Sequence, residues 1–171
     1  PMNITIDPTG TKAYVTNFNS HTVSVIDLVS NKGINTITVG IEPYDLAVTP
    51  DGKRVYVANY YSENISMIDE DPNSGGFDHS TVTIATPSKT TTGITATTDN
   101  AMVLITDEFG LKIIDSNPAD KDYNSITANV STGTPANGVT ATGDAALAIV
   151  STVDGHLLMI NLHPENGDYS E

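Results

Sequence analysis

Two histidines, a short acidic loop and a scatter of aromatic rings are where this sequence could do chemistry. His21 and His156, with Asp154 two places before the second, supply two imidazoles and a carboxylate, a donor set that suits a transition metal. Asp69, Asp71 and Asn73 alternate along Asp69-Glu70-Asp71-Pro72-Asn73-Ser74-Gly75, as the oxygen ligands of a calcium loop do. The pattern departs from such a loop at its glycine, one place late, and at Ser80, where a bidentate Glu is needed. Solvated loop histidines and Asp/Asn turns are the bland readings of both groups. No resident cofactor is expected, a divalent cation such as calcium being the one candidate. Asp107-Glu108 is an adjacent acid pair, useful for acid–base catalysis only if burial raises one pKa. An exposed turn is the setting expected for it.

Recognisable catalytic machinery is missing. There is no Gly-x-Ser-x-Gly elbow, no His-Glu-x-x-His, no phosphate-cradling glycine loop before a helix and no dinucleotide fingerprint. Arg54 is the sole arginine, so bidentate anion clamps are scarce. The absence of cysteine excludes disulfides, thiolate zinc sites, iron–sulfur clusters and a cysteine nucleophile. Twenty-one acids stand against 7 bases, a formal net charge of −14, while charged residues total only 16%. The acidity therefore comes from a shortage of Lys and Arg. Such a surface repels phosphate backbones and anionic lipid, so nucleic acid is not an expected partner. The longest apolar run, Ala145 to Val150, is far too short to span a bilayer. The chain opens on Pro1 rather than Met, which fits a leader removed or not included.

The elements that carry these residues repeat. Thr5-Ile6-Asp7-Pro8-Thr9-Gly10-Thr11-Lys12-Ala13-Tyr14-Val15-Thr16-Asn17 lies over Ala47-Val48-Thr49-Pro50-Asp51-Gly52-Lys53-Arg54-Val55-Tyr56-Val57-Ala58-Asn59, 42 residues on. Val23-Ser24-Val25-Ile26-Asp27 matches Ile65-Ser66-Met67-Ile68-Asp69 at the same offset. Two weaker copies run from Thr97 to Asp115 and from Thr142 to Asn161, with Leu104 and Ile149 at the tyrosine position. The spacings of 42, 48 and 45 residues suit four-stranded propeller blades. Thr, Val, Ile and Tyr dominate the periodic segments, which predicts strands. Turns are marked by Asp7-Pro8-Thr9-Gly10, Pro50-Asp51-Gly52, Pro72-Asn73-Ser74-Gly75-Gly76 and Glu165-Asn166-Gly167. Blurred alternation in Val55-Tyr56-Val57 fits sheets covered on both faces. The fold expected is an all-β propeller of four blades, about 1–43, 44–92, 93–135 and 136–171, the fourth lacking most of its outer strand.

Tyr14-Val15-Thr16-Asn17, nearly repeated as Tyr56-Val57-Ala58-Asn59, resembles the YVTN family of β-propellers. Pro50-Asp51-Gly52-Lys53, Val23 to Asp27 and Ile37-Thr38-Val39-Gly40-Ile41-Glu42-Pro43 are similar to its companion signatures. The match is strong to Asp69 and diffuse beyond, where Asp107 and Thr152 replace the Asn. The resemblance implies radial blades and, since members include surface-layer proteins, an extracellular, cell-surface or periplasmic setting. More distantly the chain is similar to lactonase-type propellers. Four blades with one unfinished read as an excised piece of a longer propeller or as a half-ring whose homodimer has eight blades, with a closed four-bladed monomer of incomplete last blade as the alternative.

The same resemblance implies that second-to-third-strand loops and blade-to-blade loops share one rim. That rim would carry Asn17, Phe18, Asn19, His21, Glu42, Tyr44, Asp45, Asn59, Tyr60, Tyr61, Glu63, Asp107, Glu108, Phe109, Asn137, Asp154 and His156. Aromatic rings beside amides and carboxylates can hold a carbohydrate or a protein partner by stacking and hydrogen bonds. Ordinary turn residues and packing between blades are the alternative. A non-catalytic binding or structural module of a surface or exported protein is the expectation, with a lactonase-like or metal-dependent enzyme as its rival.

Overall fold

β-Branched and aromatic residues fit a pleated surface, and the four periodic segments are strands. The computed structural model describes residues 1–74, 81–86, 88, 90–163 and 169. The turn glycines Gly75 and Gly76, His79, Ser80 and the turn at Glu165-Asn166-Gly167 lie outside the described residues. The first sheet is a meander of β1 (Ile4–Ile6), β2 (Lys12–Asn17), β3 (Thr22–Asp27) and β4 (Lys32–Thr38). The second comprises β5 (Pro43–Val48), β6 (Arg54–Asn59), β7 (Asn64–Asp69) and β8 (Thr81–Ala85). The third comprises β9 (Gly93–Ala96), β10 (Met102–Asp107), β11 (Gly110–Asp115) and β12 (Ile126–Ser131). The fourth has three strands, β13 (Ala136–Ala141), β14 (Leu147–Thr152) and β15 (Leu157–Asn161). A single 3₁₀ turn, Phe18–Ser20, is the only helical element among the described residues.

All pairings are antiparallel and follow chain order. The inner strands β1, β5, β9 and β13 pack in succession, so the sheets stand side by side like the blades of a propeller. Each seam between blades holds one apolar cluster. Tyr14, Val23 and Val25 of the first blade meet Leu46, Val55 and Val57 of the second. Tyr56, Ile65 and Met67 meet Ile94, Val103 and Ile105, and Leu104, Leu111 and Ile113 meet Ala148, Val150 and Ile160. Middle strands β6, β7, β10 and β11 are therefore buried on both faces, which explains why apolar residues fill both alternating sets of central positions apart from the buried Ser66, Thr106 and Lys112. Outer strand β12 alternates half-buried with exposed residues, as a sheet edge should.

The tyrosine of the repeat is a clamp between blades. Tyr14 hydrogen-bonds Glu70, a buried carboxylate of the second blade that also accepts from Lys12 Nζ at 2.6 Å. The Tyr56 hydroxyl donates to Asn124 Oδ1 at 2.9 Å, and Arg54 Nε donates to Tyr123 Oη at 2.5 Å. At the third seam both positions are apolar: Met102 and Leu104 pack against Leu162.

The turns from first to second strand share one device. Thr49 Oγ1 donates to Asp51, Thr97 Oγ1 to Asp99 and Thr142 Oγ1 to Asp144. In the first blade the identities are exchanged: Asp7 accepts from Thr9. Gly10, Gly52, Asn100 and Ala145 close these turns at φ between 57° and 72°.

Candidate functional site

Blade-to-blade loops and hairpin tips do share one rim. The Tyr60 N–H donates to the Glu42 carbonyl at 2.9 Å, and the Glu42 N–H donates to His21 Nδ1 at 3.1 Å. Against that rim opens a cavity of about 710 Å³. Three aromatic side chains, Phe18, Tyr44 and Tyr60, line it, with Asn17, Asn19 and Ser20 supplying amide and hydroxyl groups. Phe18 is placed there by the 3₁₀ turn that follows the motif Asn, and His21 closes that turn at φ 57°. Tyr44 is the extra residue of a β-bulge, since Pro43 pairs with Asn59 and Asp45 with Ala58. The Tyr44 and Tyr60 rings stand 5.8 Å apart, tilted by 36°.

Repeat spacing shows what the cavity is. Met2, Tyr44, Thr92 and Asn137 occupy one position of the four blades, and Met2, Tyr44 and Thr92 all line it. It lies where the inner strands of the first three blades begin, the position at which a propeller's channel opens. One residue deeper stand Asn3, Asp45, Gly93 and Gly138. Asn3 Nδ2 donates to Asp45 Oδ1 at 2.5 Å, and the Ile94 N–H donates to Asp45 Oδ2 at 3.2 Å. The second blade's carboxylate thus ties the first and third blades together. Burial pushes its carboxyl above the ordinary value, against the pull of the Leu46 and Ile94 N–H groups and Asn3. Beside it the chain comes too close for side chains: a Cβ on Gly93 would sit 3.2 Å from Gly138 Cα and 2.9 Å from Thr106 Oγ1.

Of the rim residues expected, Asn17, Phe18, Asn19, Tyr44 and Tyr60 come together at the cavity, and the rest lie outside it. Tyr61 is exposed, and Glu63 (φ 53°) is an exposed residue whose carbonyl accepts from the Thr86 N–H at 2.8 Å. Glu108 accepts from Ser88 Oγ at 3.0 Å. Phe109 lies 60% exposed beside a separate, smaller hollow, with Lys112 Nζ 5.6 Å from its ring centre. Pro1, Met2, Ser20 and Thr92 were not anticipated. The 42- and 48-residue offsets from Tyr44 would have found Met2 and Thr92.

The two histidines could share a metal only with the first and fourth blades side by side, and within the single chain no extensive packing among the described residues joins those blades. His21 sits on the first blade and His156 on the fourth, with two blades between them. His156 Nδ1 lies 3.0 Å from Asp154 Oδ2, and Asp154 also accepts from Thr152 Oγ1. That hydroxyl, then the imidazole, hold the Asp154 carboxyl down to about 2. Among the described residues no three His, Asp or Glu side chains converge as a metal site would need. In the acidic loop, Asp69 accepts from the Asp71 N–H and Ser74 Oγ, and Asp71 from the Asn73 N–H. Asp71 also pairs with Lys53 at 3.2 Å. These oxygens face their own backbone and neighbours, which is turn chemistry. Asp107 is not in an exposed turn: its side chain is 3% exposed and ion-paired with Lys112.

The fold has close counterparts. The chain is similar to Kuenenia stuttgartiensis hydrazine synthase, with a TM-score of 0.79 at 20% identity over 100% of this chain and 48% of that one. It is similar to dihydro-heme d1 dehydrogenase NirN in complex with DHE, with a TM-score of 0.75 at 17% identity over 99% of this chain and 36% of that one. The structure of U3-55K gives 0.68 at 12% identity, over 92% and 50%. This chain spans half or less of each. No family model matches the sequence, and no curated protein does. No helix among the described residues is long and apolar enough to cross a membrane. The chain is an all-β propeller of four blades, the fourth with three strands among the described residues.

Proposed function

We propose that the chain is a non-catalytic binding module that takes an uncharged ligand at its channel mouth. The observation that carries this is the convergence of Phe18, Tyr44 and Tyr60 on one cavity that, among the described residues, no charged side chain lines. Tilted rings offer faces to a sugar or to an apolar protein segment, while Asn17, Asn19 and Ser20 supply orienting hydrogen bonds. A carbohydrate suits this combination best, because its ring faces are apolar and its edges are hydroxyls. The setting proposed with it, a surface or exported protein, rests on the likeness to YVTN repeats and is tested by cell fractionation. The enzyme reading would need acid–base or metal-binding groups at the mouth. Asp45 is the carboxylate at that level, and three donors already engage it.

Calorimetric titration with neutral oligosaccharides, and with uncharged peptides in parallel, tests the reading. Saturable binding should weaken by about tenfold or more in Phe18→Ala or Tyr60→Ala, roughly 1.4 kcal/mol. Tyr61→Ala, outside the cavity, should change nothing. Binding indifferent to the cavity substitutions, or none at all, would overturn it.

A further inference from the structure

Among the described residues two apolar faces of this propeller have no extensive packing partner, and the internal seams show what fits them. On every blade one face turns toward the next. Its third-strand residues are Val23 and Val25 in the first blade, Ile65 and Met67 in the second, Leu111 and Ile113 in the third. All six are at most 4% exposed. The fourth blade places Leu157 and Met159 there, paired with Ser151 and Ile149, and they are 71% and 63% exposed.

The opposite face turns toward the preceding blade. Its inner-strand residues are Leu46 in the second blade and Ile94 in the third, 5% and 7% exposed. The equivalent in the first blade is Ile4, paired with Val15, and it is 59% exposed with Ile6 close behind at 56%. Among the described residues no extensive packing joins the first sheet to the fourth.

We infer that a second copy of this chain covers both faces, first blade against fourth, to close a two-fold ring of eight blades. Each interface would continue the seams already present within the chain. Side-chain character supports the match. Lys12 and Tyr14 meet the carboxylate of Glu70, whereas Met102 and Leu104 meet Leu162. Glu70 and Leu162 share one place in the repeat, each donating its N–H back to the turn before the second strand, from Glu70 to Lys53 and from Leu162 to Ala146. Leu28 holds that place in the first blade, donating to Thr11. The open clamp positions of the fourth blade are Leu147 and Ile149. Polar meets polar and apolar meets apolar within the chain, and an apolar clamp here would meet Leu28. Eight blades lie within the usual range, and two head-to-tail contacts related by a two-fold axis close without a free face.

Light scattering and sedimentation of the 171-residue chain over a wide concentration range test the inference. The expected mass is near 36 kDa, twice the 18.0 kDa chain. Met159→Glu on one face and Ile4→Glu on the other should each give 18.0 kDa, because each damages both seams of its own dimer. Both sites are exposed in the single chain, and circular dichroism checks that each variant stays folded. Leu157→Glu and Ile6→Glu are the substitutes if one does not. Mixing the two variants leaves one undamaged seam, so a weaker, concentration-dependent dimer should reappear. Three results would overturn the proposal: 18.0 kDa for the unmodified chain throughout, a ladder of larger masses, or a dimer that survives both substitutions.

Discussion

Asp107 and Lys112 form a buried ion pair, their side chains 3% and 4% exposed, where the first two blades place an amide and a hydroxyl. Asn17 Nδ2 donates to Ser24 Oγ at 2.8 Å, and Asn59 Nδ2 to Ser66 Oγ at 3.0 Å. The third blade holds the same brace with charges, and Asp107 also accepts from the N–H groups of Phe109 and Gly110. Its hairpin is two residues shorter, Asp107 pairing directly with Gly110. Removing one partner strands a charge in a dry site, so Lys112→Ala should cost about 3–5 kcal/mol in urea unfolding. Asp107→Asn with Lys112→Ser restores the pattern of the second blade and should recover most of that loss. A double variant no more stable than the single one would show that the brace is not transferable between blades.

The tyrosine clamps differ in the charge of their acceptor, and that difference is measurable. Tyr14 meets the carboxylate of Glu70, whereas Tyr56 donates to the neutral amide of Asn124. Burial raises both phenol pKa values well above the ordinary one, with the Glu70 charge adding to it at Tyr14. Tyr14→Phe should cost about 1.5–3 kcal/mol and Tyr56→Phe about 1 kcal/mol, since hydrogen bonds to charged groups are the stronger ones. Equal losses in the two variants would contradict the charge argument.

Much of this fold is written in spacing. The 42-residue offset places β2 over β6 and β3 over β7 residue for residue, and the later offsets do the same for β10 and β14. Register follows because a one-residue slip would turn Tyr56 away from its seam. The cavity was less legible. Tyr44 reaches it through a bulge, and bulges leave no pattern in strand chemistry. Asp107 read as a turn acid because local propensity takes no account of Lys112, which arrives only when the hairpin folds. A half-ring was legible from the blade count, but the residues on its open faces were not: Leu157 and Met159 carry the same apolar pattern as their buried equivalents in the other blades.

Asp45 gives the channel a pH signature. Its folded carboxyl binds a proton more tightly than the ordinary carboxyl at 3.8, because burial outweighs the hydrogen bonds that favour the anion. In the window above 3.8 the folded state therefore carries more proton than the unfolded chain, and this group's contribution to stability falls as pH rises. The turn acids Asp7, Asp71, Asp144 and Asp154 act in the opposite sense and in a lower window, since their carboxyls are held below 3.8. Urea unfolding of wild type and Asp45→Asn at pH 4 and pH 7 separates the two. The advantage of wild type over the variant should be larger at pH 4. A gap that stays constant, or widens toward neutrality, would mean that Asp45 is as well solvated as a surface acid.

Ala145 occupies the turn position that Gly10 and Gly52 hold in the first two blades and Asn100 in the third. Its φ is 57°, in the left-handed region where a Cβ costs roughly 1–2 kcal/mol. The turn enforces this conformation, because the Ala145 N–H must reach the Thr142 carbonyl at 2.9 Å. Ala145→Gly would release that strain but forfeit a methyl group that is 1% exposed, and would loosen the unfolded chain. The three terms nearly offset, so a net gain of no more than about 1 kcal/mol is expected. Gly10→Ala has no such compensation. Nothing lies within 4 Å of a Cβ placed there, so the substitution adds left-handed strain without packing and should cost about 1 kcal/mol. Thermal unfolding should therefore show a clear loss in Gly10→Ala and little or no loss in Ala145→Gly, and a loss in Ala145→Gly as large as that in Gly10→Ala would contradict the assignment of strain to Ala145.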